Sequence, residues 1–182
     1  MELVPYSDAD LWLTRALETD ERVMADLGGP WPDERIPLIH ERRLASVARG
    51  WWCFTLVPSP GDRAVGMLGL FESEFEGQAI SETGWSVLPE HQGKGYASAG
   101  LALLLERARA DGRWGAIHAF PGATNGPSNA LCRKFGFELV GQGTFDYSGR
   151  SLTCNHWVLD GAVAGDAAHA AGATDTGGTH DR

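Results

Sequence analysis

The chain has 182 residues, 43% of them hydrophobic, which is enough for one well-cored domain and too few for two ordinary ones. Its formal net charge of -9 argues against a nucleic-acid surface, because affinity for phosphate backbones comes from clustered Lys and Arg. No apolar run reaches membrane-spanning length, and the opening Met1-Glu-Leu-Val lacks the basic start and apolar stretch of a signal peptide, so the protein is expected in the cytoplasm.

From Asp8 to Gly29 apolar residues recur at roughly helical spacing (Leu11, Leu13, Leu17, Val23, Met24, Leu27), with Asp8 as N-cap and Gly28-Gly29-Pro30 as the stop. Pro32 to Gly50 reads as a second helical region, with Pro37 marking its first turn. Trp51 to Val57 and Ala64 to Phe71 are strand-like and joined by the hairpin chemistry of Pro58-Ser-Pro-Gly-Asp-Arg63. After the acidic connector Glu72 to Gln78, a third strand runs from Ala79 to Val87. Ala97 to Gly112, rich in Ala, Leu, Glu and Arg, is the strongest helix of the chain. Trp114 to Phe120 follows as a short buried strand, then Ser128 to Gly136 as a helix, and Phe137 to Tyr147 with Ser151 to Leu159 as a last pair of strands. The crossover from Ala79 to Phe120 implies one parallel pair in an otherwise antiparallel sheet. The fold class is therefore α+β (mixed α/β), a single domain over residues 1–160 with one twisted sheet and helices on both faces. From Gly161 to Arg182 almost nothing is large enough to bury, which predicts a disordered tail.

Cys53, Cys132 and Cys154 are odd in number and show no C-x-x-C spacing, so reduced thiols are expected, with no disulfide framework and no metal site. The informative stretch is Val87 to Gly100, "VLPEHQGKGYASAG", in which Gln92-Gly93-Lys94-Gly95 opens the strongest helix. Amides of a first helical turn have no internal partner, and the helix dipole adds positive charge there, so glycines at that entry make an anion site. The phosphate-loop pattern G-x-x-x-x-G-K-[ST] fails, because Leu88 stands five residues before Gly93 and Gly95 follows Lys94. The dinucleotide fingerprint has Ser98 at its third glycine and no βαβ opening before it.

The string Glu82 to Ala97, "ETGWSVLPEHQGKGYA", resembles the acyl-CoA motif of the GNAT superfamily of N-acetyltransferases, and "NGPSNALCRKFGFELVG" resembles that family's second segment through Asn125, Ser128, Leu131, Lys134, Gly136 and Phe137. The opening Thr14 to Pro30, with Gly149, Arg150 and Trp157 near the end, is similar to the branch containing the ribosomal-protein N-terminal (alanine/serine) acetyltransferases, so the likeness covers Leu11 to Leu159.

The resemblance implies acetyl-CoA as cosubstrate, no metal, and transfer of the acetyl group to a primary amine by direct attack. The amine belongs to a protein N-terminus or a small molecule. Gln92, Gly93, Lys94, Gly95, Tyr96 and Ala97 would hold the CoA pyrophosphate, and Asn125 the pantetheine arm in a gap where the strand ending at Val87 splays from its parallel neighbour. A backbone N–H around Val87 would receive the oxyanion. Glu82 is the candidate general base, directly or through water; its alternative is an exposed strand carboxylate. Ser128 is the candidate partner of the departing thiolate, or else the N-cap of its helix. At Cys132 many relatives carry a tyrosine general acid, and a buried thiol there reads better as packing. His118 reads as a packed or hydrogen-bonded histidine rather than a base. Trp31 and Tyr147 are expected around the acceptor, and Glu72, Glu74 and Glu76 would draw in a cationic amine if they face the cleft. Two rivals remain: a non-catalytic acyl-CoA sensor or interaction module, and a transferase for a larger group such as succinyl. Monomer and homodimer are equally open.

Overall fold

A computed structural model of the chain describes residues 1–147 and 149–160, without the side chains of Asp146 and Tyr147. The substrate role expected of Tyr147, and the tail beginning at Gly161, lie outside the described residues. Seven strands form one sheet in the order β1-β2-β3-β4-β5-β7-β6: β1 (Glu2–Pro5), β2 (Trp52–Val57), β3 (Gly66–Phe75), β4 (Gln78–Val87), β5 (Ile117–Ala119), β6 (Glu138–Tyr147) and β7 (Arg150–Leu159). All neighbouring pairs are antiparallel except β4 and β5, which run parallel through only Ser81↔Ile117 and Glu82↔His118. The expected class, with its one parallel pair, is the observed one.

Helices cover both faces. On one side α4 (Tyr96–Asp111) and α5 (Gly126–Lys134) bury Leu101, Leu104, Leu105 and Leu131 against Leu56, Leu68, Leu70, Ile117 and Trp157. On the other, α1 (Leu11–Glu18), the single-turn α2 (Glu21–Met24) and α3 (Ile36–Ala48) lie over the β1–β3 half, where Leu13 and Leu17 pack with Tyr6, Cys53, Val57 and Met67. A fully buried leucine side chain stabilises by about 1.5–3 kcal/mol, so these two layers carry the fold. Gly100 lets α4 lie close to the sheet, since a Cβ there would meet Leu56 and Leu68.

Several elements differ from expectation for local reasons. The first helical region breaks after Glu18, because Asp20 takes an extended backbone and its carboxylate accepts from the N–H groups of Arg22 (2.8 Å) and Val23 (3.3 Å), starting a new turn. The first helix starts at Leu11 behind a 3-10 turn over Asp8–Asp10, so Asp8 is not its cap. Strand β1 had no expectation attached to it. The connector Glu72 to Gln78 is mostly strand: β3 runs on to Phe75, and Glu76 (φ 52) with Gly77 (φ 77) makes the two-residue turn into β4. Strand β5 is shorter than Trp114 to Phe120, reduced to three residues. The cap of α5 is Asn125, whose side chain accepts from Ser128 N–H at 3.0 Å, rather than Ser128 itself.

Candidate active site

The site assembles where β4 and β5 part. Leu88 N–H donates to Val65 O at 2.9 Å, so by antiparallel alternation the main-chain groups of Ser86 and Gly84 face β3, while those of Trp85 and Val87 face β5. β5 pairs with β4 no further than Glu82, leaving the edge from Thr83 to Val87 open on that side. The carbonyl of Val87 accepts from Gln92 Nε2 at 3.0 Å, which ties the strand end to the turn.

Gln92, Gly93, Lys94 and Gly95 are exposed, and Gly93 (φ 71) and Gly95 (φ 82) are left-handed, a region that costs an L-residue about 1–2 kcal/mol. Nothing lies within 4 Å of a Cβ built on either glycine, and no side chain caps α4. The first turn therefore has no side-chain cap and opens onto free space, where its amides can meet an anion. Lys134 Nζ donates to Ser98 Oγ at 2.6 Å, bringing a second cation to this turn beside Lys94.

Along the gap, Ser128 Oγ accepts from Trp85 Nε1 at 3.3 Å. Asn129, which sequence reasoning missed, is buried and fully bonded: its Nδ2 donates to Gly122 O (2.9 Å) and Asn125 O (2.7 Å), and its Oδ1 accepts from Asn155 Nδ2 and Trp157 Nε1, both at 2.8 Å. It fixes α5, and with it Asn125 and Ser128, against β7. Cys132 is 0% exposed in the core, and burial pushes its thiol up to about 12. It packs, as the sequence reading preferred.

Glu82 lies on the opposite face of the sheet from Trp85 and α4, beside its register partner Phe71. Burial raises its pKa, partly offset by a hydrogen bond from Ser73. Parallel register puts His118 next to Glu82 on the same face, and His118 Nδ1 is 2.8 Å from Nε2 of His156, a partner the sequence did not reveal. Burial lowers both imidazole pKa values. Cys154 lies near Glu82 and Asp26; burial, then those two carboxylates, raise its pKa. Glu72 and Glu74 alternate onto the other face from Phe71 and Glu82, so they do not line this side of the cleft.

The outer wall comes from distant segments. Arg150, at the start of β7, donates to the carbonyls of Leu27 (3.1 Å), Gly29 and Pro30 (3.0 Å). Trp31 is buried between Arg150 and Arg35, whose guanidiniums lie 3.4 and 4.2 Å from its ring centroid. Thr124 Oγ1 donates to Asp26 at 2.8 Å, and a cavity of about 320 Å³ opens between Asp26, Gly28, Gly122, Thr124 and Leu152. No group of His, Cys, Asp and Glu suited to a metal ion occurs among the described residues, and no described helix is long and apolar enough to cross a membrane.

Residues 1–138 match the family described as the Acetyltransferase (GNAT) domain. No curated protein sequence matches the chain. Among solved structures, a ribosomal-protein-alanine N-acetyltransferase from Brucella melitensis superposes with a TM-score of 0.71 at 24% identity, covering 88% of this chain and 99% of that one. Spermidine N-acetyltransferase from Vibrio cholerae, in complex with CoA and spermine, gives 0.71 at 18% identity over 87% and 94% of the two chains. The yncA protein of Salmonella typhimurium, determined with its cofactor acetyl-CoA, gives 0.67 at 21% identity over 88% and 93%. A family match over most of its length, on a sheet parted at the expected place, means that this chain belongs to the GNAT acetyltransferase family.

Proposed function

We propose that this protein is a cytoplasmic N-acetyltransferase that moves the acetyl group of acetyl-CoA to a primary amine, a protein N-terminus or a small molecule, by direct attack. The observation that carries this reading is the half-buried carboxylate of Glu82 at the point where β4 leaves β5. Gln92 to Ala97 hold the pyrophosphate on the first turn of α4, with Lys94 adding charge, and Asn125 orients the pantetheine arm in the gap.

In the reaction the amine nitrogen forms a bond to the thioester carbonyl carbon, the carbon–sulfur bond breaks, and the pair leaves with sulfur. Glu82 takes the proton that the amine must lose, and its raised pKa brings it closer to neutral pH, where a general base works best. The N–H of Val87, facing the gap, receives the developing oxyanion. Ser128 Oγ–H, its oxygen held by the Trp85 indole N–H, donates a hydrogen bond to the departing thiolate, which takes its proton from solvent. Trp31 acts through the wall it stabilises.

Calorimetry with acetyl-CoA, followed by thiol-release assays over peptides with free N-termini, polyamines and amino sugars, tests the reading. Saturable binding with transfer to one amine class supports it, and undetectable CoA binding overturns it. Binding retained by Glu82→Gln, with no transfer by the wild type to any amine, would assign a sensor instead.

A further inference from the structure

The sheet curls enough for rings from strands that are not neighbours to meet on the face of Glu82. Phe75, at the end of β3, has its ring centroid 5.5 Å from that of Phe145 on β6 and 5.3 Å from Phe120 just after β5, although β4, β5 and β7 separate β3 from β6. It meets His156 edge-on at 4.7 Å. Below them Phe120 stacks on His156, 4.6 Å apart at 24°, and His118 lies beside His156, 5.0 Å away at 26°, the two imidazoles joined edge to edge by their hydrogen bond. All five rings are only half-buried. The helices of this face pack over the β1–β3 half instead, so this aromatic patch, which reaches Glu82 through His118, is left without a helix over it.

This surface is selective. Burial keeps the two imidazoles neutral near pH 7, so they present aromatic faces rather than positive charge. The carboxylates around the cluster are Glu82 within it, Glu76 near His156 and Asp160 near His118. A row of rings, not of carboxylates, leads away from the base. Aromatic pairs favour offset or edge contacts at the spacings seen here, and a flat ring added to the patch would gain them again.

We propose that the acceptor is a primary amine joined by a short alkyl link to an aromatic ring, with the amine at Glu82 and the ring packed against the patch of His118, His156, Phe120, Phe75 and Phe145. This rests on the acetyltransferase reading above and adds the substrate class. The shared chemistry is met by a free arylalkylamine and by a peptide whose first residue is aromatic.

The full chain is first titrated with acetyl-CoA by calorimetry. Thiol release is then followed with phenethylamine, a Phe-initiated peptide, an Ala-initiated peptide, butylamine and spermidine. At least one aryl amine should show kcat/KM roughly tenfold or more above butylamine and spermidine, the discrimination an extra apolar contact supplies. Phenethylamine and the Phe-initiated peptide tell the two sources apart. Phe120→Leu and Phe145→Leu should raise KM for the aryl amine and shrink that ratio, with acetyl-CoA affinity unchanged. Equal or better use of spermidine or butylamine by the wild type overturns the proposal while leaving the acetyltransferase reading intact. Acetyl-CoA binding without turnover of any of the five overturns it as well. Absence of acetyl-CoA binding overturns both.

Discussion

The guanidinium of Arg150 lies over the ring of Trp31, 3.4 Å from its centroid, while its N–H groups reach the carbonyls of Leu27, Gly29 and Pro30. One side chain thus fastens the β6–β7 turn to the loop after α2. Arg150→Ala should raise the KM for the amine several-fold, leave CoA affinity unchanged, and cost about 2 kcal/mol of stability through lost charge-assisted bonds. Thermal unfolding beside steady-state kinetics checks this; an unchanged KM would contradict the wall's role in acceptor binding.

Glu82 gives a pH signature of known sign. Its folded pKa is raised by burial, so the native state holds its proton more tightly than the unfolded chain. Stability is therefore lost as pH rises from the unfolded value through the folded one, and above that window the ionised carboxylate is a constant penalty. The acid limb of kcat/KM should lie above the ordinary carboxylate range. Glu82→Gln should remove that limb, lower kcat by roughly 10²–10⁴-fold, and unfold at a higher temperature than wild type at neutral pH. A wild-type limb at an ordinary carboxylate value would remove the base from Glu82.

The glycine turn separates cofactor affinity from stability. Gly95→Ala forces a side chain into a left-handed position at the start of α4, where only open space surrounds it. The strain of about 1–2 kcal/mol is relieved by moving the amides that the phosphates need. CoA should bind at least roughly tenfold more weakly by calorimetry, while the melting temperature falls by only a few degrees. Lys94→Ala should weaken binding less, and mostly at low salt.

Asn129 predicts the opposite balance. Asn129→Leu would strand the Trp157 indole N–H in a buried place and take one of two donors from each of the Gly122 and Asn125 carbonyls, which keep a backbone N–H. A stranded buried donor costs about 1–3 kcal/mol, so a loss of about 2 kcal/mol or more is expected in chemical denaturation. CoA affinity should fall with it, because Asn125 and Ser128 ride on the same helix.

A second polar knot holds α1 to α3. Arg43 donates to the buried carboxylate of Glu18 and, at 2.8 Å, to Thr14 Oγ1, while Tyr6 joins Thr14 to His40 Nδ1 at 2.6 Å. Arg43→Met leaves Glu18 buried and unpaired, which should cost about 3–5 kcal/mol. The double variant Glu18→Leu with Arg43→Met should recover much of that in urea unfolding.

The sequence made α4 legible because its residues are strong helix formers and Gly112 closes it. It made the Gln92–Gly95 turn legible because glycines at a helix entry open the first-turn amides, and it pointed to Glu82 only through the resemblance to the GNAT motif. It hid the outer half of β3, where Glu72 and Glu74 read as a solvated connector although Ser73 and Phe75 already alternate with them. β1, four residues ending on Pro5, is too short to carry a periodic signal. The unseen parts of the site were those built across distance. His156 gains meaning only beside His118, Asn129 only beside Trp157, and Phe75 only once a curled sheet brings it to Phe145.

The two-residue parallel seam between β4 and β5 makes the sheet two antiparallel rafts, β1–β4 and β5–β7, moored at a single place. Every other neighbouring pair of strands is joined over three rungs or more. Breathing of the native protein should therefore start at this mooring, with the amides of Ile117 and His118 exchanging with solvent before those of β2 and β3. A long arm threaded into the gap would bridge the rafts where the main chain does not, so the molecule should stiffen most where it binds.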